Sequence, residues 1–154
     1  MINLQQLKNE IVKPTLLEIG AYSKAAERLV IGTGLAESGF EYVKQVGGGP
    51  ALGFYQMEPA THKDIWDNFL LFRFELSSTL NDFNIDYKDH SQLVWNIKYA
   101  TAMCRIHYLR SSAPLPNEND IEEIAHYWKD IYNTTKGKGT VEGFIDKAQA
   151  IMEL

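Results

Sequence analysis

The stretch that most constrains this chain is residues 29–36, Leu-Val-Ile-Gly-Thr-Gly-Leu-Ala, which leaves a helix apolar on every side. A helix without a polar face has nowhere to rest except inside a ring of other elements. Ser23 suits its N-cap, the helix runs to about Ser38, and Gly39 can terminate it in the left-handed conformation. Gly32 and Gly34 each cost up to ~1 kcal/mol inside a helix, a cost accounted for if neighbouring backbone packs closely there. The fold expected around such a helix is mainly α, with one core.

The remaining pattern agrees. A chain of 154 residues suits a single domain, 1–154, and can bury roughly 70% of its extended surface. Apolar residues at 45% and charged residues at 23% exclude a disordered or fibrous chain. Leu4, Leu7 and Ile11 form a stripe over 3–13, after which Pro14 breaks the pattern or opens a new first turn. Pro59 fits the first turn of a helix over about 60–75, carrying Ile65, Trp66, Phe69 and Leu70. Ser91 is placed to cap a long helix to about Arg110. Asn119 with Glu122 three residues on resembles a capping box, followed by Ile124, Ala125, Trp128 and Ile131 at helical spacing. Thr140 caps a last helix. Trp66, Trp95 and Trp128 all fall on apolar faces and are expected in the core.

Glu37 breaks its surroundings. It continues the stripe of Leu29 and Thr33, which brings a carboxylate to the end of a buried helix. Apolar neighbours, the negative end of the helix dipole and repulsion from Glu41 should all raise its pKa. A general acid working near neutral pH needs that property. The competing reading is a Glu that simply emerges into solvent at a helix end.

The segment that follows is glycine-rich. Gly47, Gly48, Gly49 and Gly53 put four of the eleven glycines into seven residues, a loop with a short hairpin expected through 54–57. Glycine lets backbone approach a ligand closely, Tyr55 offers a flat face with a polar tip, and Gln56 both donates and accepts.

Together these strings resemble the lysozyme-like superfamily, in its soluble lytic transglycosylase and goose-type lysozyme branch. Glu37-Ser38-Gly39-Phe40 matches the family's catalytic Glu-Ser. Gly53-Phe54-Tyr55-Gln56-Met57-Glu58-Pro59-Ala60-Thr61 matches its Gly-Leu-Met-Gln…Pro…Thr frame, with Phe and Tyr replacing Leu and Met. Ile131-Tyr132-Asn133 fits its aromatic-Asn motif, although the glycine expected soon after comes only at Gly137. The resemblance implies a lysozyme-like fold whose cleft is lined by the glycine-rich loop. It implies cleavage of the β-1,4 bond between N-acetylmuramic acid and N-acetylglucosamine, with Glu37 as the catalytic acid and base. Ser38, Tyr55, Gln56, Tyr132 and Asn133 are then the substrate-binding positions. Ser38 would brace the Glu or the substrate region, Tyr55 would line the cleft in place of Met, and Tyr132 would turn its hydroxyl toward the reacting ring. Neither cofactor nor metal is implied, and many members of this branch use no second acid. Glu41, Glu58 and Asp64 are the candidates if one exists.

Other classes fare worse. With 15 basic residues against 20 acidic ones and no run of Lys or Arg, the chain lacks the footprint of a nucleic-acid binder. No apolar run approaches the ~20 residues of a membrane span, and the first residues carry charge where a secretory signal is greasy. Small size and the missing export signal suggest a phage virion or a host cytoplasm before release to the wall, with other virion proteins as partners. His62, His90, His107 and His126 lack zinc-protease spacing. Cys104, alone, falls on an apolar stripe. The readings to weigh against a glycosidase of peptidoglycan are a non-catalytic lysozyme-fold component of a virion and a chitinase-like enzyme on the same frame.

Overall fold

The buried helix organises the molecule. The structure is a computed structural model that describes residues 2–83, 86 and 88–154. The chain is mainly α. Helices α1 (Leu4–Leu7), α2 (Lys13–Glu18), α3 (Lys24–Glu37), α4 (Pro59–Asn68) and α5 (Phe74–Asn81) occupy the first half. Helices α6 (Gln92–Trp95), α7 (Ile97–Leu109), α8 (Ile121–Tyr127) and α9 (Val141–Ala148) complete it. Every residue of α3 from Ala26 to Leu35 is buried. The helix is enclosed by α7, α9, the segment Lys8–Val12 and the 3-10 turn Gln149–Glu153. Its ends are as read from the sequence. Ser23 accepts from the Ala26 N–H, and Gly39, at φ +63°, returns its N–H to the Gly34 and Leu35 carbonyls.

The two glycines in α3 have a different cause from the one expected. A Cβ on Gly32 would lie 2.6 Å from the Phe144 ring, and one on Gly34 would lie 2.1 Å from the Phe40 ring. Aromatic side chains, not backbone, require the space.

Several boundaries also move. Pro14 does not end the first helix. The turn before it widens to π geometry over Lys8–Val12, and the chain continues as α2 with the proline in its first turn, where its missing N–H costs least. The helix begun at Pro59 stops at Asn68, and α5 follows a 3-10 turn (Leu70–Phe72). The long helix expected from Ser91 is two. Asn96 interrupts it, and its Oδ1 accepts from the Tyr99 N–H to start α7 afresh. The break turns Trp95 outward, to 54% exposure, so it is not a core residue, whereas Trp66 and Trp128 are. Asp120 rather than Asn119 caps α8, accepting from the Glu122 and Glu123 N–H groups. Thr140 caps α9.

No hairpin strands form through 54–57. Leu52 and Met57 exchange both backbone hydrogen bonds, and Lys44 and Leu52 form a second isolated bridge. The pairing stops there because the chain enters α4 at Pro59, which has no N–H to give. Among the described residues no helix is long and apolar enough to cross a membrane.

Candidate active site

Glu37 is the last residue of α3 and stands on the wall of a groove of about 1120 Å³. α3 must be buried, so its C-terminal carboxyl reaches the groove from inside the core. One oxygen, Oε1, accepts a 3.0 Å hydrogen bond from the Trp128 indole N–H. Trp128 is itself buried and tilts against Phe144 at 5.2 Å. Burial pushes the Glu37 carboxyl up from its ordinary 4.5 to about 7. The Trp128 hydrogen bond and the ammonium groups of Lys147 and Lys129 pull the other way without cancelling it. Of the causes expected from sequence, desolvation dominates. Glu41 plays no part, because Gly39 ends the helix and leaves Glu41 exposed beyond the turn, outside the groove.

The loop opposite is fastened to α3 by residues that looked like ligands in the sequence. Ser38 is buried, and its hydroxyl donates to the Phe54 carbonyl at 2.6 Å while accepting from the Phe40 N–H at 3.1 Å. At 4% exposure it lies behind the groove wall, so what it does here is brace the loop, one of the roles expected for it. Tyr55, expected to line the cleft, lies in the core instead. It is 2% exposed, edge-on to Phe40 at 5.9 Å, and its hydroxyl meets Thr101 Oγ1 at 2.9 Å. Thr101 spends its own proton on the Ile97 carbonyl, so Tyr55 donates. The Phe-Tyr pair that replaces Leu-Met fills the core beneath the loop, and no face of Tyr55 is available to a sugar. Tyr132 does line the groove, yet its hydroxyl donates to the Tyr55 carbonyl at 2.6 Å rather than pointing at a reacting centre. Its ring packs against His107 and Tyr108 at 4.7 and 5.4 Å. Consecutive carbonyls at 54 and 55 are thus held by Ser38 and Tyr132, and Tyr42 ties the start of the loop to the Glu37 carbonyl at 2.9 Å.

Gln56 and Asn133 remain as groove residues. Gln56 takes the left-handed φ of +49°, uncommon for a side-chain-bearing residue, and its amide donates to the Gly53 carbonyl at 2.9 Å. That leaves its side-chain oxygen as an acceptor on the groove wall. Gly53 is required here, since a Cβ would lie 2.1 Å from the Leu93 carbonyl oxygen. Asn133 Oδ1 accepts from Lys129 Nζ at 2.6 Å, which orients its amide.

The other two acids on the wall differ from Glu37. Asp64 bonds Asn68 and pairs with Arg110 at 2.6 Å, and both partners hold its carboxyl below the ordinary range. Glu58 is exposed at the start of α4 and makes no side-chain capping bond. Among the described acids on the wall, Glu37 alone combines a largely buried carboxyl, a fixed orientation and a proton retained near neutrality. His107 also lines the groove and was passed over in the sequence for want of a motif. Burial lowers it to about 4, and Nε2 lies 3.2 Å from the Ile131 carbonyl. The neutral ring therefore carries its proton on Nε2 and packs against Tyr132 with the two planes tilted by 43°. No family model, curated protein or solved structure matches the chain.

Proposed function

We propose that the chain is a lysozyme-like glycosidase of peptidoglycan, cutting the β-1,4 bond between N-acetylmuramic acid and N-acetylglucosamine with Glu37 as its one general acid and base. The observation that carries the reading is Glu37 itself, a carboxyl delivered from a buried helix to a groove wall, held by Trp128 and raised to about 7. A groove of about 1120 Å³ is large enough for several sugar rings, since drug-sized pockets span roughly 300–1,000 Å³. The order Glu-Ser, Gln…Pro…Thr, Tyr-Asn supports the family assignment, and the loop those motifs frame is the one braced against Glu37.

In the first step Glu37 gives its proton to the glycosidic oxygen as the bond to the anomeric carbon breaks, leaving an oxocarbenium-like centre. In the second, the Glu37 carboxylate takes a proton from the nucleophile that closes on that carbon. The nucleophile is either water, as in a lysozyme, or the muramoyl 6-hydroxyl, which closes a 1,6-anhydro ring. Gln56 and Asn133 offer amide groups to hydroxyl and acetamido substituents. Asp64, held by Arg110, is poorly suited as a second catalytic acid. The substrate is wall glycan, and a virion-borne or released phage enzyme is the setting proposed for it.

Isolated sacculi test the reading. Wild-type protein should clear their turbidity, and Glu37→Gln should lose about 10²- to 10⁴-fold in rate, the usual worth of a general acid. Equal clearing by both proteins would remove Glu37 from the chemistry. Absence of clearing by wild type would favour a binding or structural role. Mass spectrometry of the released fragments separates the two chemistries, because an anhydro end weighs one water less.

A further inference from the structure

The charge of the groove is out of keeping with the molecule around it. The chain as a whole is acidic, with a formal net charge of −5. Yet one flank, formed by the loop after Asn133 and by α9, brings Lys136, Lys138 and Lys147 onto the groove wall. All three are exposed, and among the described residues none of them enters an ion pair. The acids on the wall do not neutralise them. Asp64 is engaged by Arg110, Glu37 keeps its proton to about pH 7, and only Glu58 is left. The groove is therefore locally cationic on an acidic protein.

That flank has a defined shape. Lys129 acts as a clamp, donating from Nζ to Asn133 Oδ1 at 2.6 Å and to the Gly137 carbonyl at 3.1 Å. The Thr134 N–H returns to the Lys129 carbonyl at 2.7 Å, and the Gly137 N–H to the Thr134 carbonyl at 3.2 Å. These bonds hold Thr134 at φ +68°, a conformation that a β-branched residue adopts only under constraint. Gly139 lies so near Trp128 that a Cβ would come within 2.5 Å of the indole. Lys136 and Lys138 thus stand on either side of a pinned Gly137, next to the aromatic residue that holds Glu37.

We propose that Lys136, Lys138 and Lys147 form a subsite for a carboxylate carried by the glycan, making the groove selective for strands with acidic substituents over uncharged β-1,4 amino-sugar polymers. The identity of the polymer rests on the glycosidase reading, whereas the charge preference does not. Two sources supply that carboxylate in peptidoglycan: the lactyl acid of muramic units that carry no peptide and, where a peptide is joined to that acid through an amide, the free carboxyls of the peptide. Concave, one-signed charge raises the local concentration of the opposite ion, and salt weakens the effect because these groups are exposed. The same flank explains how an acidic protein can engage an anionic wall.

Binding, read without turnover, tests this. The full chain and the triple variant Lys136→Gln/Lys138→Gln/Lys147→Gln are co-sedimented with sacculi free of phosphate polymers and with particulate chitin, at low and at physiological salt. The three side chains lie outside the core, and matching melting curves verify the variant's fold. The variant should bind sacculi roughly five- to tenfold more weakly at low salt, with the gap narrowing as salt rises and chitin binding unchanged. Sacculi stripped of peptide by an amidase identify the source. The amidase frees one lactyl carboxylate for each peptide it removes, so a gap that persists shows that the lactyl carboxylate occupies the subsite, and one that vanishes assigns the peptide carboxyls. Equal binding of both proteins to sacculi, or an equal loss on chitin, would overturn the subsite. Lysine-dependent binding of strands that are never cut would instead overturn the glycosidase reading alone. Cleavage with KM unchanged in the triple variant would overturn the subsite alone.

Discussion

Glu37 and Trp128 set the chemistry at the scale of single residues. The indole N–H favours the ionised carboxyl, so its loss should raise the Glu37 pKa further above about 7. Trp128→Phe is therefore expected to shift the alkaline limb of the pH–rate profile upward while lowering thermal stability by about 1–3 kcal/mol through a smaller core side chain. An unmoved limb would show that the hydrogen bond does not tune the acid. Tyr55→Phe separates core from ligand. It should cost about 1 kcal/mol of stability for the lost bond to Thr101 and leave KM for wall glycan unchanged, whereas a rise in KM would restore Tyr55 to the cleft. The sequence made Glu37 legible because a carboxylate on an all-apolar helix is anomalous on its face. The inward placement of Ser38 and Tyr55 was not legible, for a physical reason. A hydroxyl near a catalytic motif serves a ligand or a backbone carbonyl equally well, and only the packed loop decides between them.

Helix α3 and the loop it carries form the next scale. Its buried span and both caps could be read from Ser23, Gly39 and the apolar run between them. The partners of Gly32 and Gly34 could not, because Phe144 is more than a hundred residues away and Phe40 returns on its own helix only through the left-handed φ of +55°. Phe40 is hemmed in by Phe54 at 5.4 Å and by Tyr55, so it cannot yield to a new methyl group. Gly34→Ala should thus destabilise by about 1–3 kcal/mol of overpacking despite the ~1 kcal/mol that alanine gains in helix propensity. It should also lower kcat/KM, since displacing Phe40 moves the loop that Ser38 holds. A higher melting temperature would contradict the close approach. The break at Asn96 was hidden for a related reason. Leu93, Val94, Ile97 and Ala100 keep helical spacing across it, while the cue that ends one helix and caps the next is a single Asn whose amide also donates to the Phe83 carbonyl at 2.5 Å.

At the scale of the whole molecule, buried titratable groups set how stability depends on pH. His62 is held to about 4 by burial, and its Nε2 lies 2.6 Å from the Tyr99 hydroxyl, which accepts from Trp66 at 2.8 Å. Trp66 can only donate, so the buried Tyr99 hydroxyl proton finds its acceptor in Nε2 of a neutral His62. His107 is lowered likewise. A base with a depressed folded pKa contributes stability that is present above about 6.5 and lost as pH falls toward 4. Glu37 has the opposite sign. Its folded pKa lies above the unfolded value, so its contribution is full below about 4.5 and lost as pH rises through about 7. With two such histidines against one such Glu, these groups place the stability maximum near pH 6–7. Glu37→Gln should melt increasingly above wild type between pH 5 and 7, by several degrees, with the gap constant at higher pH. A gap independent of pH would refute the burial argument. The cationic flank belongs to this scale too. Lys136, Lys138 and Lys147 fall within twelve residues of a sequence that is acidic overall, and the fold turns all three onto one wall.

The pH profile of kcat/KM on isolated sacculi tests the central claim most directly, because it reports the protonation of the free enzyme's essential groups. Activity should require Glu37 protonated, falling as pH rises through about 7, and Glu37→Gln should stay about 10²- to 10⁴-fold slower than wild type at low pH and lack that fall. An apparent pKa near 4.5 for that fall, or clearing of sacculi by the variant at the wild-type rate, would contradict a dry carboxyl acting as the proton donor.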